Sequence, residues 1–309
     1  LVVEEDGGTI HSRRRSPMLK IASETATFIG IELHFDCTYA IQINLEGREL
    51  DRLETRGKQR YSRENSLQEI RTVANGLIER NNTGSPVTGL GFADPGIVDV
   101  VHGVALRAVN MPEWRGFAVK DWLEQEFKLP STACPAPLAR GWSEYREYTP
   151  EPPESLFLIE LGLGVGGSFI EAGRPYIGTT FRGMEIGHLM VVPDGPKCQC
   201  GNRGCLEAVV NSVTDTTDVK NIRIISSGIA TALASVVTLL NPSAIILAGP
   251  LSRISTPLLA NVRRELTMQC LPGALFDLTV SISGQDNYSA AKGAALLARD
   301  RFLGISPLP

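Results

Sequence analysis

Apolar and polar positions follow two different periods along this chain, and the switches between them mark out its elements. Phe28-Ile29-Gly30-Ile31-Glu32-Leu33, then Thr38-Tyr39-Ala40-Ile41-Gln42-Ile43-Asn44-Leu45 and the turn signal Glu46-Gly47-Arg48, read as a β-hairpin that opens a sheet. A third strand is expected over residues 49–55. Leu67, Ile70, Val73, Ala74, Leu77 and Ile78 recur at helical spacing within residues 66–79, and residues 88–93 return to strand. The order β-β-β-α-β marks an α/β lobe. After Pro150-Glu151-Pro152-Pro153 a second lobe begins, with residues 154–170 reading as strand, glycine-rich turn and strand, and Gly173 at the next turn. Residues 229–240 read as a helix stopped by Asn241-Pro242, residues 244–248 as a buried strand ending at Gly249, and residues 289–302 as a terminal helix. The shared plan predicts an α/β fold of two lobes, duplicated in topology and not in identity, with a cleft between them where a ligand binds. Residues 27–150 are assigned to the first lobe and 151–288 to the second, with the terminal helix 289–303 placed to pack back on the first.

Residues 1–5 and 18–21 read as two short β segments separated by Asp6-Gly7-Gly8 and the triplet Arg13-Arg14-Arg15, a hairpin or wing and linker over residues 1–26. The composition, 43% hydrophobic and 21% charged over 309 residues, is that of an ordinary globular chain and excludes disorder. No run of about 18 apolar residues stands out, so no membrane partner is expected. The opening residues are too acidic for a secretory signal, which makes the cytoplasm the default compartment. A net charge of −4 argues against bulk coating of nucleic acid and leaves room for a small basic element.

Candidate chemistry concentrates in one stretch. Of the 6 cysteines, Cys198, Cys200 and Cys205 crowd together after Glu185-Ile186-Gly187-His188. One imidazole and three thiols supply the four N/S ligands that tetrahedral Zn²⁺ prefers, and leave no open position for a catalytic water, so the expected zinc over residues 188–205 is structural. Gly201 and Gly204 let the backbone wrap the ion. The alternative is a set of buried or oxidised thiols, although a Cys-x-Cys pair is poorly placed for a disulfide between near neighbours.

Glu-x-Gly-His followed by Cys-x-Cys-Gly-x-x-Gly-Cys-x-Glu, from Glu185 to Glu207, resembles the signature of the ROK family of repressors, open reading frames and sugar kinases. The likeness extends over nearly the whole chain, through the hairpin 28–50, the turn Asp94-Pro95-Gly96, the loop Asn110-Met111-Pro112-Glu113-Trp114, the glycine-rich hairpin 162–178 and the late strand to Gly249. The resemblance implies the two-lobed, actin-like and hexokinase-like (ribonuclease H-like) fold. It also implies that Asn110, Glu185, His188 and Glu207 hydrogen-bond sugar hydroxyls. With one ring nitrogen on zinc, His188 is held so that its other N–H can donate to a hydroxyl. A solvated or supporting role is the alternative for the two glutamates.

Kinase chemistry of this type needs a carboxylate base and donors that hold the transferred phosphoryl group. The family's base is the aspartate of an Asn-Asp-Ala-Asn stretch; anchoring on Glu144 places Ala136 at the aspartate and Pro135 at its asparagine. The family's first phosphate loop, Asp-x-Gly-Gly-Thr, is here Glu32-Leu33-His34-Phe35-Asp36, and the second, Gly-Thr-Gly, is Gly162-Leu163-Gly164. Pro250 follows Gly249 where nucleotide-side glycines are expected. No catalytic residue is therefore assigned. Asp36 and Asp94 are the conceivable replacement bases, Asp94 reading more naturally as a turn-former.

In ROK repressors a winged helix-turn-helix precedes the sugar-binding lobes, and its wing ends in a stretch similar to residues 1–5 followed by Arg13-Arg14-Arg15-Ser16-Pro17-Met18-Leu19. The resemblance thus implies a sugar-responsive transcriptional regulator whose reading helices lie upstream of Leu1, with a sugar or sugar phosphate as effector, DNA as partner, and a homodimer or dimer of dimers as assembly. Arg13, Arg14 and Arg15 are candidates for phosphate or minor-groove contact, or a solvated linker. The connection over residues 213–220 is shorter than the family's usual helical excursion. A divergent ATP-dependent sugar kinase and a zinc-stabilised scaffold without a ligand are the two other readings.

Overall fold

The computed structural model describes residues 2–5, 18–34, 36–57, 62–108, 111–148, 150–213, 215, 218–250 and 256–309. Strand β1 (Val2–Glu5) pairs antiparallel with β2 (Met18–Ile21). The expected turn at Asp6, Gly7 and Gly8 and the triplet Arg13, Arg14 and Arg15 lie outside the described residues.

The first lobe runs β3 (Thr27–Leu33), β4 (Thr38–Asn44), β5 (Glu49–Thr55), α1 (Arg63–Arg80) and β6 (Val87–Asp94). A small sheet of β7 (Ile97–Asp99), β8 (Val104–Arg107) and β9 (Phe117–Ala118) follows, then α2 (Val119–Phe127), β10 (Ser131–Pro135) and α3 (Ala136–Glu147). The second lobe runs β11 (Ser155–Leu161), β12 (Val165–Glu171), β13 (Arg174–Pro175), α4 (Leu206–Asn211), α5 (Val219–Leu240), β14 (Ala244–Ala248), α6 (Thr256–Gln269) and β15 (Thr279–Ile282). Helix α7 (Ser289–Phe302) closes the chain.

The two main sheets have one plan. The first has the order β10-β6-β3-β4-β5 and the second β15-β14-β11-β12-β13, in each case a parallel trio extended by an antiparallel pair. Strand β3 is buried along its whole length, so it reads as an almost unbroken apolar run instead of alternating. Helix α1 packs on one face of the first sheet through Leu67, Ile70, Val73 and Leu77, and α7 lies on the other. The approach of α7 is close because its inner face is Ala290, Ala291, Ala294 and Ala295, and because the strands beneath offer Gly30 and Gly91. A Cβ at those glycines would meet the carbonyls of Ala291 and Ala294 at 1.8 and 1.9 Å. Helix α3 packs against α7, with Gly293 against Ala139, and also against β11 and β12, so this helix pair forms the joint between lobes.

Helix α5 begins at Val219, earlier than residue 229, because Asp218 caps it by accepting from the Lys220 N–H at 2.7 Å and its first turns are polar enough to hide the apolar period. By length and composition α5 is apolar enough to cross a membrane, which the sequence reading did not anticipate. Half of its apolar window is buried, with Ile225, Ile229, Leu233 and Val237 in the core of the second lobe, as in a core helix.

Candidate functional site

The loop after β13 builds the cysteine–histidine cluster from local backbone bonds. A short 3-10 turn, Ile186–His188, presents the imidazole. Isolated bridges Met190 to Cys205 and Lys197 to Arg203 fold the loop back, and the Cys198 N–H donates to Asn202 at 2.8 Å. Gly204 has φ of +69°, and a Cβ there would strike the Val192 carbonyl at 1.7 Å, so this turn requires glycine.

The cluster fits a four-coordinate ion. The ligand atoms of His188, Cys198, Cys200 and Cys205 all lie within 4.8 Å of one another. Cys200 Sγ is 3.6 Å from Cys205 Sγ, and Cys198 Sγ is 3.7 Å from His188 Nδ1. Zinc–ligand bonds at a tetrahedral angle imply edges of about 3.8 Å between sulfurs and about 3.6 Å between sulfur and nitrogen. The thiols are free and far beyond disulfide length. His188 Nδ1 faces the cluster, and Nε2 faces outward, 3.9 Å from Glu185 Oε2.

That outward nitrogen borders a cleft of about 1170 Å³ between the lobes, lined among others by Glu185, His188 and Glu207. The structure brings these three expected sugar contacts to one wall. Asn110 lies outside the described residues, and its neighbour Met111 lines the facing wall. Glu185 keeps 44% of its side-chain surface exposed. Desolvation by the surrounding wall raises its pKa above the ordinary carboxylate range, with His188 pulling the other way. Glu207, in the first turn of α4, accepts from the Val165 N–H at 3.0 Å through Oε2, while Oε1 lies 3.9 Å from Cys198 Sγ. It therefore ties the cysteine loop to the glycine-rich turn 162–164.

The remaining walls mix apolar side chains with ionisable ones, among them Glu32, Glu160, His34, Arg107 and Arg115. Ala136 starts α3 at the cleft edge, with Pro135, Pro137 and Leu138 beside it. Leu163, at the tip of the glycine turn, is 49% exposed, and the Pro250 ring stands 3.7 Å from where a Cβ on Gly162 would be. His34 Nδ1 pairs with Asp36 at 2.6 Å. Asp94 is fully buried and held as a turn-former, with Oδ2 accepting from Trp114 Nε1 at 2.6 Å and Oδ1 from the Gly96 N–H at 2.8 Å.

Desolvation pushes the Asp94 carboxyl from 3.8 up to about 6, against those two donors. The folded chain thus binds a proton that the unfolded chain has released, and stability falls as pH rises through this window, by about 3 kcal/mol for a shift of this size. Denaturant unfolding of wild type and Asp94→Asn between pH 4 and 7 should show the wild-type advantage shrinking as pH rises.

A buried charged group joins two carboxylates that line the cleft, all three on separate elements in the sequence. Arg140, 7% exposed, donates to Glu32 Oε1 at 3.0 Å and sits 3.3 Å from Glu160 Oε2. Burial pushes the Glu32 carboxyl up and Arg140 draws it down. The available signal was an acidic residue inside each of two apolar strands and an arginine inside the apolar run of α3.

The sequence profile of the ROK family matches residues 29–214 and 209–301. This chain belongs to the ROK family. Its relatives include both halves of the family's repertoire. A glucokinase of Halalkalibacterium halodurans is 26% identical, covering 70% of this chain and 78% of that protein. A xylose repressor of Bacillus spizizenii is 23% identical, covering 99% of this chain and 85% of the repressor. Among solved structures, a ROK family transcriptional regulator, a homolog of the E. coli MLC protein, superposes with a TM-score of 0.80 at 20% identity, covering 94% of this chain and 82% of that one. A ROK glucokinase from Streptomyces griseus, in complex with glucose and AMPPNP, gives 0.76 at 24% identity, covering 89% and 99%. The hexokinase-like α/β fold is thereby established for this ROK chain, and the cysteine–histidine cluster is one that could hold a metal.

Proposed function

We propose that this ROK protein is a sugar-responsive transcriptional regulator whose effector cleft binds a polyhydroxy ligand without phosphorylating it. The observation that carries this reading is the start of α3, where a methyl group, Ala136, stands on the cleft edge at the position aligned with the family's catalytic aspartate. Loss of a general base typically costs about 10²–10⁴ in rate. Leu163 and Pro250 add apolar bulk on the side where phosphate and nucleotide would lie. The likeness to the xylose repressor extends over 99% of this chain, against 70% for the glucokinase, which favours the regulator.

In this reading Glu185 and Glu207 accept from sugar hydroxyls, His188 Nε2 donates, and Asn110 is the fourth sugar contact that the resemblance implies. Cys198, Cys200, Cys205 and His188 Nδ1 would hold Zn²⁺, whose part is to fix the ring and the loop. Sugar binding changes the population of closed lobes, and hence the spacing of DNA-binding modules in a dimer, if the two conformers bind sugar unequally. Arg13, Arg14 and Arg15 are the candidates for phosphate or minor-groove contact, in a cytoplasmic protein.

The second reading, a divergent sugar kinase, is favoured by the similarity to glucokinases. Calorimetric binding of a panel of hexoses, pentoses, N-acetylhexosamines and their phosphates, paired with coupled detection of ADP release, separates the two. The regulator reading expects binding of at least one sugar and no sugar-dependent ADP; robust turnover establishes the kinase, and no binding at all leaves a scaffold.

A further inference from the structure

Glu32 and Glu160 hold equivalent places in the two lobes. Each is the sixth residue of a seven-residue strand, β3 and β11, and those strands occupy matching positions in the two sheets. By resemblance, Glu32 is the first residue of the stretch matching one phosphate loop, residues 32–36, and Glu160 stands just before the other, residues 162–164. Arg140 comes from α3, at the joint, and its guanidinium reaches both carboxylates and donates to Ser289 of α7.

We propose that Arg140 is a resident cation beneath the cleft wall, bridging the cleft-lining carboxylates Glu32 and Glu160 across the lobes, so that the cleft admits a sugar and offers no free carboxylate pair to a metal–nucleotide. This specificity role rests on the sugar-binding reading, whereas the bridge is tested without any sugar. A planar guanidinium with several donors can span two carboxylates, which a single ammonium cannot do equally well. With the guanidinium present, the acidic pair is internally compensated. Without it, two carboxylates are left at the joint; Glu32 Oε2, Glu160 Oε2 and Ser168 Oγ are buried without a hydrogen-bond partner among the described residues, as is Arg140 Nε, whose 3.3 Å approach to Glu160 Oε2 is an ion pair only. Those oxygens are hard donors suited to a small divalent cation.

The test is thermal unfolding of the metal-loaded protein without sugar, using Mn²⁺ as the probe. Wild type should be insensitive to millimolar Mn²⁺ and to Mg²⁺–ATP. Arg140→Met should melt about 10 °C lower, since removing one partner of a buried pair strands the other charges. Millimolar Mn²⁺ should restore at least half of that loss. In Arg140→Met/Glu160→Gln the loss should be smaller and the Mn²⁺ response absent. Should Arg140→Met fail to fold, Arg140→Lys should melt lower than wild type and gain the same Mn²⁺ response in weaker form. A wild type already stabilised by Mn²⁺ or Mg²⁺–ATP overturns the proposal. So does an Arg140 variant that melts like wild type, or one whose loss neither Mn²⁺ nor Glu160→Gln reduces, which would leave Arg140 a packing residue. Failure of every sugar to bind, with these shifts intact, would refute the effector reading and not the bridge.

Discussion

Stripping the proposed zinc from the cysteine–histidine loop should lower the unfolding temperature by more than about 10 °C and weaken sugar binding at least tenfold. The loop has few apolar contacts of its own to hold it: Cys198 and Cys205 are buried, yet Met190 and Leu189 are exposed, and the backbone turns at Gly201 and Gly204 are held by a handful of hydrogen bonds. An ion on the four candidate ligands would supply the missing restraint, with apparent energies of about 10–16 kcal/mol in small zinc peptides as an upper scale. The consequence reaches the cleft because His188 belongs to both, and because Glu207 joins the loop to the Val165 N–H. Metal analysis should return one zinc per chain, and Cys200→Ser should reproduce the chelated state. Full stability and sugar affinity in a protein shown to be metal-free would contradict the assignment.

How much could be read beforehand depended on distance along the chain. Strands β3, β4 and β5 and helix α7 follow their apolar periods and turn residues almost residue for residue. Strand β10 does not, because Ser131-Thr132-Ala133-Cys134-Pro135 is a short edge strand whose pairing is with the distant β6. The small sheet β7–β9, α2, α6 and β15 carry weak local patterns, and the polar start of α5 concealed half of that helix. The cysteine–histidine cluster was legible because all four of its side chains fall within 188–205. The Glu32–Arg140–Glu160 bridge was not, since three isolated charges on separate elements give no periodic or spacing signal until the lobes are assembled.

Truncating Glu185 to Ala should weaken sugar binding by about 10–100-fold, the worth of one charged hydrogen bond of about 1.5–3 kcal/mol. Glu207→Ala should cost at least as much, because it also frees the glycine-rich turn from its tie to α4. Stability should separate the two. Glu185 is partly exposed with no bond deeper than its approach to His188, so its variant should melt within about 2 °C of wild type, whereas the Glu207 variant should melt lower. On the proposed reading, in which Leu163 and Pro250 stand where phosphate and nucleotide would lie, Ala136→Asp should leave ATP turnover undetectable. Measurable turnover from that single change would show that the cleft retains a usable phosphate site.

The most direct measurement is made on one zinc-loaded sample: calorimetric titration with the sugar panel, followed by an ADP-release assay with ATP and each sugar that binds. At least one saturable sugar isotherm with ADP release at background is the predicted result; sugar-dependent ADP release that persists over many turnovers would contradict it.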